Sequence, residues 1–281
     1  AFNIPAGIGP DALTKAASAG DAKALFEIGM RYSDGKSVKR DMVASAQWFE
    51  RAAEANFAPA QYSIGSLYEK GIGVKKDVAT ASSWYEKAAM QGNARAMHNL
   101  AVINAMGNDG EPDMTTAVKW FTQAADFGIK DSQFNLGILF GQGMGVPQNL
   151  KNSYKWFALA AKTGDTDATA KRDEVAKAMD PVELESARKE VAAWKPATLN
   201  DAVNRVKVPK EWRSKSTANL SGAAAVKRAQ ASLNERGFSV GTPDGVFGSK
   251  TEAGIRSYQA RAGLAVTGEP SQALLQQLRR G

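Results

Sequence analysis

The chain has 281 residues, of which 43% are hydrophobic and 23% charged, enough to bury the cores of two domains. It contains no cysteine, which excludes disulfides, thiolate metal sites and thiol nucleophiles. The net charge of +7 is uneven: residues 1–194 carry 22 basic against 23 acidic side chains, residues 195–220 carry 6 against 2, and residues 221–281 carry 8 against 4. The last third therefore favours an anionic partner (nucleic acid, acidic lipid or a carboxylate-bearing wall polymer) or simply keeps the chain soluble.

The opening AFNIPAGIGP has neither a basic start nor an apolar core, so no signal peptide is expected in it, and residues 1–19 read as a lead-in with a capping helix. The longest uncharged run, Ser132 to Leu150, has the length of a membrane span but contains four glycines, a proline, three Gln and two Asn. Direct membrane insertion is not expected of it.

Residues 20–163 repeat with a period of 36, seen in Trp48, Trp84, Trp120 and Trp156. Each Trp is followed by an aromatic residue (Phe49, Tyr85, Phe121, Phe157) and then by an Ala pair, 52–53, 88–89, 124–125 and 160–161. A second column holds Gly29, Gly65, Ala101 and Gly137, and a third Gly35, Gly71, Gly107 and Gly143. Each unit reads as two helices. In the second, Ala60, Ile64 and Tyr68 line one helix and Trp84, Tyr85, Ala88 and Ala89 the next, joined by GIGVKKD at 71–77, whose glycine stops one helix and whose aspartate starts the other. Small residues in the second column allow close helix approach, and Trp is expected to fill the space between units. One helical pair cannot bury such faces alone, so neighbours must stack.

The pattern A-x-[FYH]-x-[IL]-G-x-x-[YF]-x-x-G-x-G-V-x-x-D, then A-x-x-W-[FY]-x-x-A-A, resembles the Sel1-like repeat, a relative of the tetratricopeptide repeat. Repeat three departs from it: MGNDGEPD at 106–113 lacks the G-x-G-V turn and Asn104 replaces an aromatic, so an altered loop is expected there. The resemblance implies an all-α solenoid that holds protein partners through its first helices. The column Phe26, Tyr62, His98 and Phe134 reads as packing between repeats before it reads as a contact ladder. Glu27, Ser63, Asn99 and Asn135 beside it are polar and unlike one another, which suits exposed positions tuned to a partner; with His98 they form the candidate groove. His98 is the sole histidine, too little for a triad or a zinc site, and no catalytic residue, metal or cofactor is expected.

Residues 164–194 read as two capping helices, with Asp165 and Asp180 as N-caps, Pro181 at the first helical position and Glu183 in the first turn. Residues 195–221 lose the period and read as a linker that Trp194 and Trp212 would pin to the repeats.

Residues 222–281 read as a small three-helix domain. Val226, Ala229 and Leu233 form a stripe ending at Gly237, Ile255 and Tyr258 line a second helix ended by Gly263, and a third helix carries Leu274, Leu275 and Leu278 after a Ser271 cap. Between the first two lies GTPDGVFGSKT. It fails as a Walker loop because Ser249 precedes Lys250, as a calcium loop because no second acid precedes Glu252, and as a Rossmann turn because no strand leads into it. A capping box of Ser249 with Glu252 does fit.

The run G-x-x-D-G-x-F-G-x-x-T-x-x-[AG]-[VI]-x-x-[FY]-Q followed by G-L-x-x-T-G, carried by Gly241, Asp244, Gly245, Phe247, Gly248, Thr251, Gly254, Ile255, Tyr258, Gln259, Gly263, Leu264, Thr267 and Gly268, resembles the three-helix peptidoglycan-binding domain. Gly254 stands where that family usually has alanine. The resemblance implies peptidoglycan as partner, with Asp244, Gly245, Phe247, Gly248, Thr251, Tyr258 and Gln259 as candidate contacts. Asp244 is expected to fix its own turn and Phe247 and Ile255 to be core; Tyr258 would stack on a sugar; Lys250, Arg256 and Arg261 suit the stem-peptide carboxylates.

The full order of repeats, caps, WKP linker, VPKEW and wall domain resembles the periplasmic part of the PodJ family of alphaproteobacterial polarity factors. That resemblance implies a non-catalytic scaffold at the cell pole, in the periplasm, cut from a parent anchored in the inner membrane, with peptidoglycan and periplasmic or membrane polarity proteins as partners and no nucleic acid. A periplasmic signalling regulator and a wall-hydrolase subunit are the alternatives.

Overall fold

The computed structural model describes residues 3–107, 110–213, 223–262, 268, 274 and 277–278, and every regular element among them is helical. The chain forms two compact units, residues 42–206 and residues 1–41 with 207–281. In chain order α1 is Asp11–Ser18, α2 Ala22–Asp34, α3 Met42–Glu54, α4 Ala58–Lys70, α5 Val78–Met90, α6 Ala94–Met106 and α7 Met114–Asp126. Then follow α8 Lys130–Gln142, α9 Leu150–Ala161, α10 Thr166–Ala178, α11 Pro181–Ala193, α12 Asp201–Asn204, a 3-10 turn at Lys210–Trp212, α13 Ala223–Glu235 and α14 Ser249–Arg261.

Within 42–206 the helices pack as sequential pairs, and the glycine columns explain how closely. A β-carbon on Gly65 would lie 2.9 Å from the Tyr85 ring, and one on Gly137 would lie 2.6 Å from the Phe157 ring. The aromatic after each Trp is thus the residue pressed into the hairpin: Phe49, Tyr85, Phe121 and Phe157 are all buried. Trp48 and Trp156 are buried as well, while the other two Trp side chains stand further out. Trp84 and Trp120 are half-buried, Lys87 sits 4.1 Å over the Trp84 ring and Arg51 4.4 Å over that of Trp48. Trp120 still joins two core clusters, as expected of a filler between units.

The loops inside the repeats share a backbone clasp that depends little on side chains. Asp77 N donates to Tyr68 O at 2.9 Å, Asn149 N to Phe140 O at 2.9 Å and Asp113 N to Asn104 O at 2.9 Å. Repeat three therefore keeps the clasp although Asn104 replaces the aromatic, because the acceptor is a carbonyl; residues 108 and 109 lie outside the described residues. Gly71, Gly107 and Gly143 end their helices in the left-handed region. The second glycine has a separate purpose: a β-carbon on Gly73 would lie 2.1 Å from Met42 O, and one on Gly145 2.4 Å from Met114 O. Those loops rest on the start of the preceding repeat's second helix.

Asp165 and Asp180 cap α10 and α11, accepting from Ala168 N and from Val182 N and Glu183 N. Both helices lie on α9, around Tyr154, Ala158, Met179 and Ala187. The segment read as a linker is an ordered strap as far as residue 206. Trp194 packs on the core of the third and fourth repeats, and Ala197 N donates to Asp126 O at 2.8 Å. Further on, Asn93 Nδ2 donates to Val203 O at 2.6 Å, while Asn204 accepts from Ala94 N at 2.9 Å and donates to Gly92 O at 3.0 Å. Residues 214–221 of the expected linker lie outside the described residues.

In the other unit, Arg31 is 1% exposed and holds three segments together. Its guanidinium donates to Glu27 Oε1 at 3.0 Å, to Ile8 O at 2.9 Å and to Trp212 O at 2.6 Å. Glu27 is consequently buried, not the exposed partner contact expected of it, because its carboxylate neutralises a guanidinium that three segments enclose.

The C-terminal module has Leu233, Val240, Ile255, Leu274 and Leu278 as its core, with Val226 and Ala229 also buried. A β-carbon on Gly254 would lie 2.0 Å from Val240 Cγ1, which accounts for glycine at this helical position. The capping box is absent: Ser249 is the first residue of α14, its N-cap is Gly248 without a side-chain bond, and Glu252 pairs with Arg256 at 2.8 Å. Leu274, Gln277 and Leu278 are helical, while Gly263, Leu264, Thr267, Ser271 and Leu275 lie outside the described residues.

Candidate functional site

The rings of the first helices pack inward. Tyr62 lies 5.9 Å from Tyr85, His98 5.7 Å from Phe121 and Phe134 5.4 Å from Phe157, each ring leaning on the buried aromatic of its own repeat. Phe26, in the other unit, is buried. Packing is thus what this column does, and Tyr62, His98 and Phe134 keep one edge at the surface.

Beside them Ser63, Asn99 and Asn135 are half-buried. Ser63 bonds back to Pro59 O at 2.9 Å. Asn99 Nδ2 donates to the Tyr85 hydroxyl at 2.9 Å, and that hydroxyl donates to Glu69 Oε2 at 2.5 Å. Burial, and then the Glu69 carboxylate, push the Tyr85 phenol up, so it stays a donor at any ordinary pH. A relay from Glu69 through Tyr85 to Asn99 thereby links the second repeat to the third. His98 Nδ1 lies 2.8 Å from Ser132 Oγ, linking the third repeat to the fourth. Burial lowers the His98 pKa, against the charges of Asp131 and Glu69 that raise it. A His–Ser pair suggests a nucleophile, but Ser132 is 0% exposed and no substrate can reach its hydroxyl.

In the C-terminal module three of the seven expected contacts, Asp244, Gly245 and Thr251, gather around Gln230, itself 2% exposed. Its Nε2 lies 3.0 Å from Asp244 Oδ1, Val246 O and Thr251 Oγ1, and its Oε1 accepts from Gly245 N at 2.9 Å. Asp244 also accepts from Val246 N at 2.8 Å, and these bonds hold its carboxyl below the usual range; as expected, it fixes its own turn. Gly245 and Thr251 are buried, and so is Gln259, which accepts from Gly268 N at 2.9 Å. The side chains of Thr251 and Gln259 are therefore parts of the scaffold that shapes the loop. Gly248 is exposed, and Phe247, expected in the core, is 43% exposed beside exposed Val246, because the core is closed by Val240 from the other end of the loop.

Tyr258 belongs to a different place. A cleft of about 270 Å³ is lined by Arg236, Phe238, Tyr258, Arg261 and Ala262. Phe238 and Tyr258 meet edge to face at 5.7 Å and 83°, and Arg261 lies 6.0 Å over the Phe238 ring. Arg236 is anchored through Ser232 O at 3.2 Å and Leu278 O. Among the described residues no carboxylate pairs with either guanidinium. Arg256, by contrast, is engaged by Glu252. Sequence reasoning named Tyr258 and Arg261 but missed Arg236 and Phe238; the signal was there in R-G-F, where a helix-ending glycine sets a cation and a ring side by side.

Four consecutive segments, 22–57, 58–93, 94–127 and 130–165, match the Sel1 repeat family, and together they make up half of the chain. The chain belongs to the Sel1 repeat family. Behind the Sel1 repeats, residues 222–278 match a peptidoglycan binding domain family. A Sel1 repeat protein from Oxalobacter formigenes is similar in structure, with a TM-score of 0.56 and 28% identity, over 67% of this chain and 81% of that one. A protective antigen present in uropathogenic Escherichia coli strains, displaying an SLR fold, is similar with a TM-score of 0.58 and 26% identity, over 99% of this chain but 56% of that one. No curated protein matches the chain. The Sel1 repeats point to protein partners and the C-terminal domain to peptidoglycan.

Proposed function

We propose that this chain is a non-catalytic scaffold that holds a protein partner on its Sel1 repeats and attaches it to the cell wall through residues 222–278. The observation that carries the reading is the presence of both modules in one chain, four repeats followed by a wall-binding domain. The buried state of Ser132 beside His98 supports a non-catalytic role for the repeats. In the finer form of the proposal the scaffold works in the periplasm at a cell pole, as the PodJ-like order of its parts implies, with a polarity protein as partner and a parent chain anchored in the inner membrane. The test of the core reading is co-sedimentation with purified sacculi. The full chain is expected in the pellet and a chain ending at residue 213 in the supernatant; equal recovery of both in the supernatant would sink the wall attachment. A fluorescent fusion exported to the periplasm tests the finer form, which expects polar foci that vanish when the repeats are deleted.

A further inference from the structure

We infer that the cleft lined by Arg236, Phe238, Tyr258 and Arg261 takes a free carboxylate of the peptidoglycan stem peptide, and not the glycan. The inference rests on the wall-binding reading and adds to it the moiety recognised and the residues that recognise it. In peptidoglycan that bears its peptides the lactyl carboxyl of each N-acetylmuramic acid is tied up as an amide to the stem peptide, so the free carboxylates of the polymer are those of its peptides. A glycan site needs acceptors for sugar hydroxyls beside an aromatic platform, usually acids or amides. Among the described residues the lining offers two guanidinium groups, two aromatic rings and a methyl group, with the Tyr258 hydroxyl as its one side-chain acceptor. The balance is that of an anion site with apolar walls.

The two cations have different parts. Arg236 is fixed in place by one bond from each terminal nitrogen, to Ser232 O and Leu278 O, and sets a positive field at the cleft. Among the described residues Arg261 is held by the Phe238 ring and by no carboxylate, and its edge suits a bidentate bond to a carboxylate. Phe238 and Tyr258 then flank the aliphatic part of the same amino acid. A volume of about 270 Å³ lies at the small end of ligand sites and suits one end of a peptide better than a disaccharide.

Titration of the full chain with the tripeptide L-Ala-γ-D-Glu-meso-diaminopimelate, followed by calorimetry, tests this. Binding is expected, with about a tenfold loss when the peptide carboxylates are amidated and a similar loss in Arg261→Gln, as for one charge-assisted bond. Arg261→Lys should recover part of it. Equal affinity for the acid and its amides, or for polyphosphate, would overturn the inference. Sacculi whose carboxylates have been converted to amides with a carbodiimide and ammonia separate the two levels: if they retain the chain as well as intact sacculi, the carboxylate site is wrong and wall binding stands. If intact sacculi retain nothing, wall binding itself fails. Arg261 is exposed, and unchanged circular dichroism of both variants confirms that the fold is kept.

Discussion

Asn93 and Asn204 each hold the backbone next to the other. Asn93 caps α6 through Ala96 N at 2.9 Å and donates its amide hydrogens to Val203 O, while Asn204 returns the bond by accepting from Ala94 N and donating to Gly92 O. Val203 packs into the core of the second and third repeats between them. The strap thus takes up backbone groups that the loop between repeats would otherwise leave unpaired. Asn204→Ala should lower stability by roughly 1–3 kcal/mol, the usual loss for partly buried polar groups left unmatched. Urea denaturation measures it, and faster amide exchange at Ala94 and Ala197 would show the strap lifting.

Gly137 is required by the Phe157 ring. Alanine normally improves a helix interior by about 1 kcal/mol over glycine. Here its β-carbon would fall 2.6 Å from the ring, so Gly137→Ala should destabilise the chain, by about 1–3 kcal/mol as for other overpacked cores. Phe157→Leu in the same chain should recover part of the loss. The reversed sign, a stabilised Gly137→Ala, would show that the hairpin can open at this point.

His98 sets a pH limit for the repeats. Burial lowers its pKa from 6.5 in the folded chain, against the opposing charges of Asp131 and Glu69. Below pH 6.5 the unfolded chain therefore takes a proton that the folded chain refuses. The stabilisation is complete above pH 6.5 and is lost as the pH falls through the folded value. The stability difference between the wild-type chain and His98→Gln should be constant above pH 7 and shrink toward pH 5, as read by denaturation at each pH.

The repeats were legible because one contact, made four times, forces the same residue types into the same columns: a glycine or alanine opposite a ring, a glycine at a left-handed helix end, an acid or Asn at the next cap. The ring column read as packing between repeats, and it does pack, but each ring of Tyr62, His98 and Phe134 meets the aromatic of its own repeat. Which of two adjacent aromatics lies deeper was not legible, since Trp84 and Tyr85 both suit a core and the Gly65 contact selects Tyr85. Glu27 looked like a surface residue because its burial is imposed by Ile8 and Trp212, far away in sequence. The strap has no period to detect. In the C-terminal module the family pattern marked residues that shape the loop, and the partner that turns them inward, Gln230, belongs to another helix and carries no motif.

Gln230 and Arg261 therefore make opposite predictions. The two amide hydrogens of Gln230 face three acceptors, and its carbonyl satisfies the buried Gly245 N. Gln230→Leu keeps the bulk but strands that N–H and the Thr251 hydroxyl, which should cost roughly 1–3 kcal/mol and lower the melting temperature of the C-terminal module. No residue of the loop 241–248 lines the Arg261 cleft, so at temperatures where the module stays folded Gln230→Leu should still sediment with sacculi. Arg261→Gln should melt as the wild type does and lose the sacculi. If instead Gln230→Leu abolishes wall binding while still folded, the loop around Gly245 and Phe247 is the contact surface and the cleft is not.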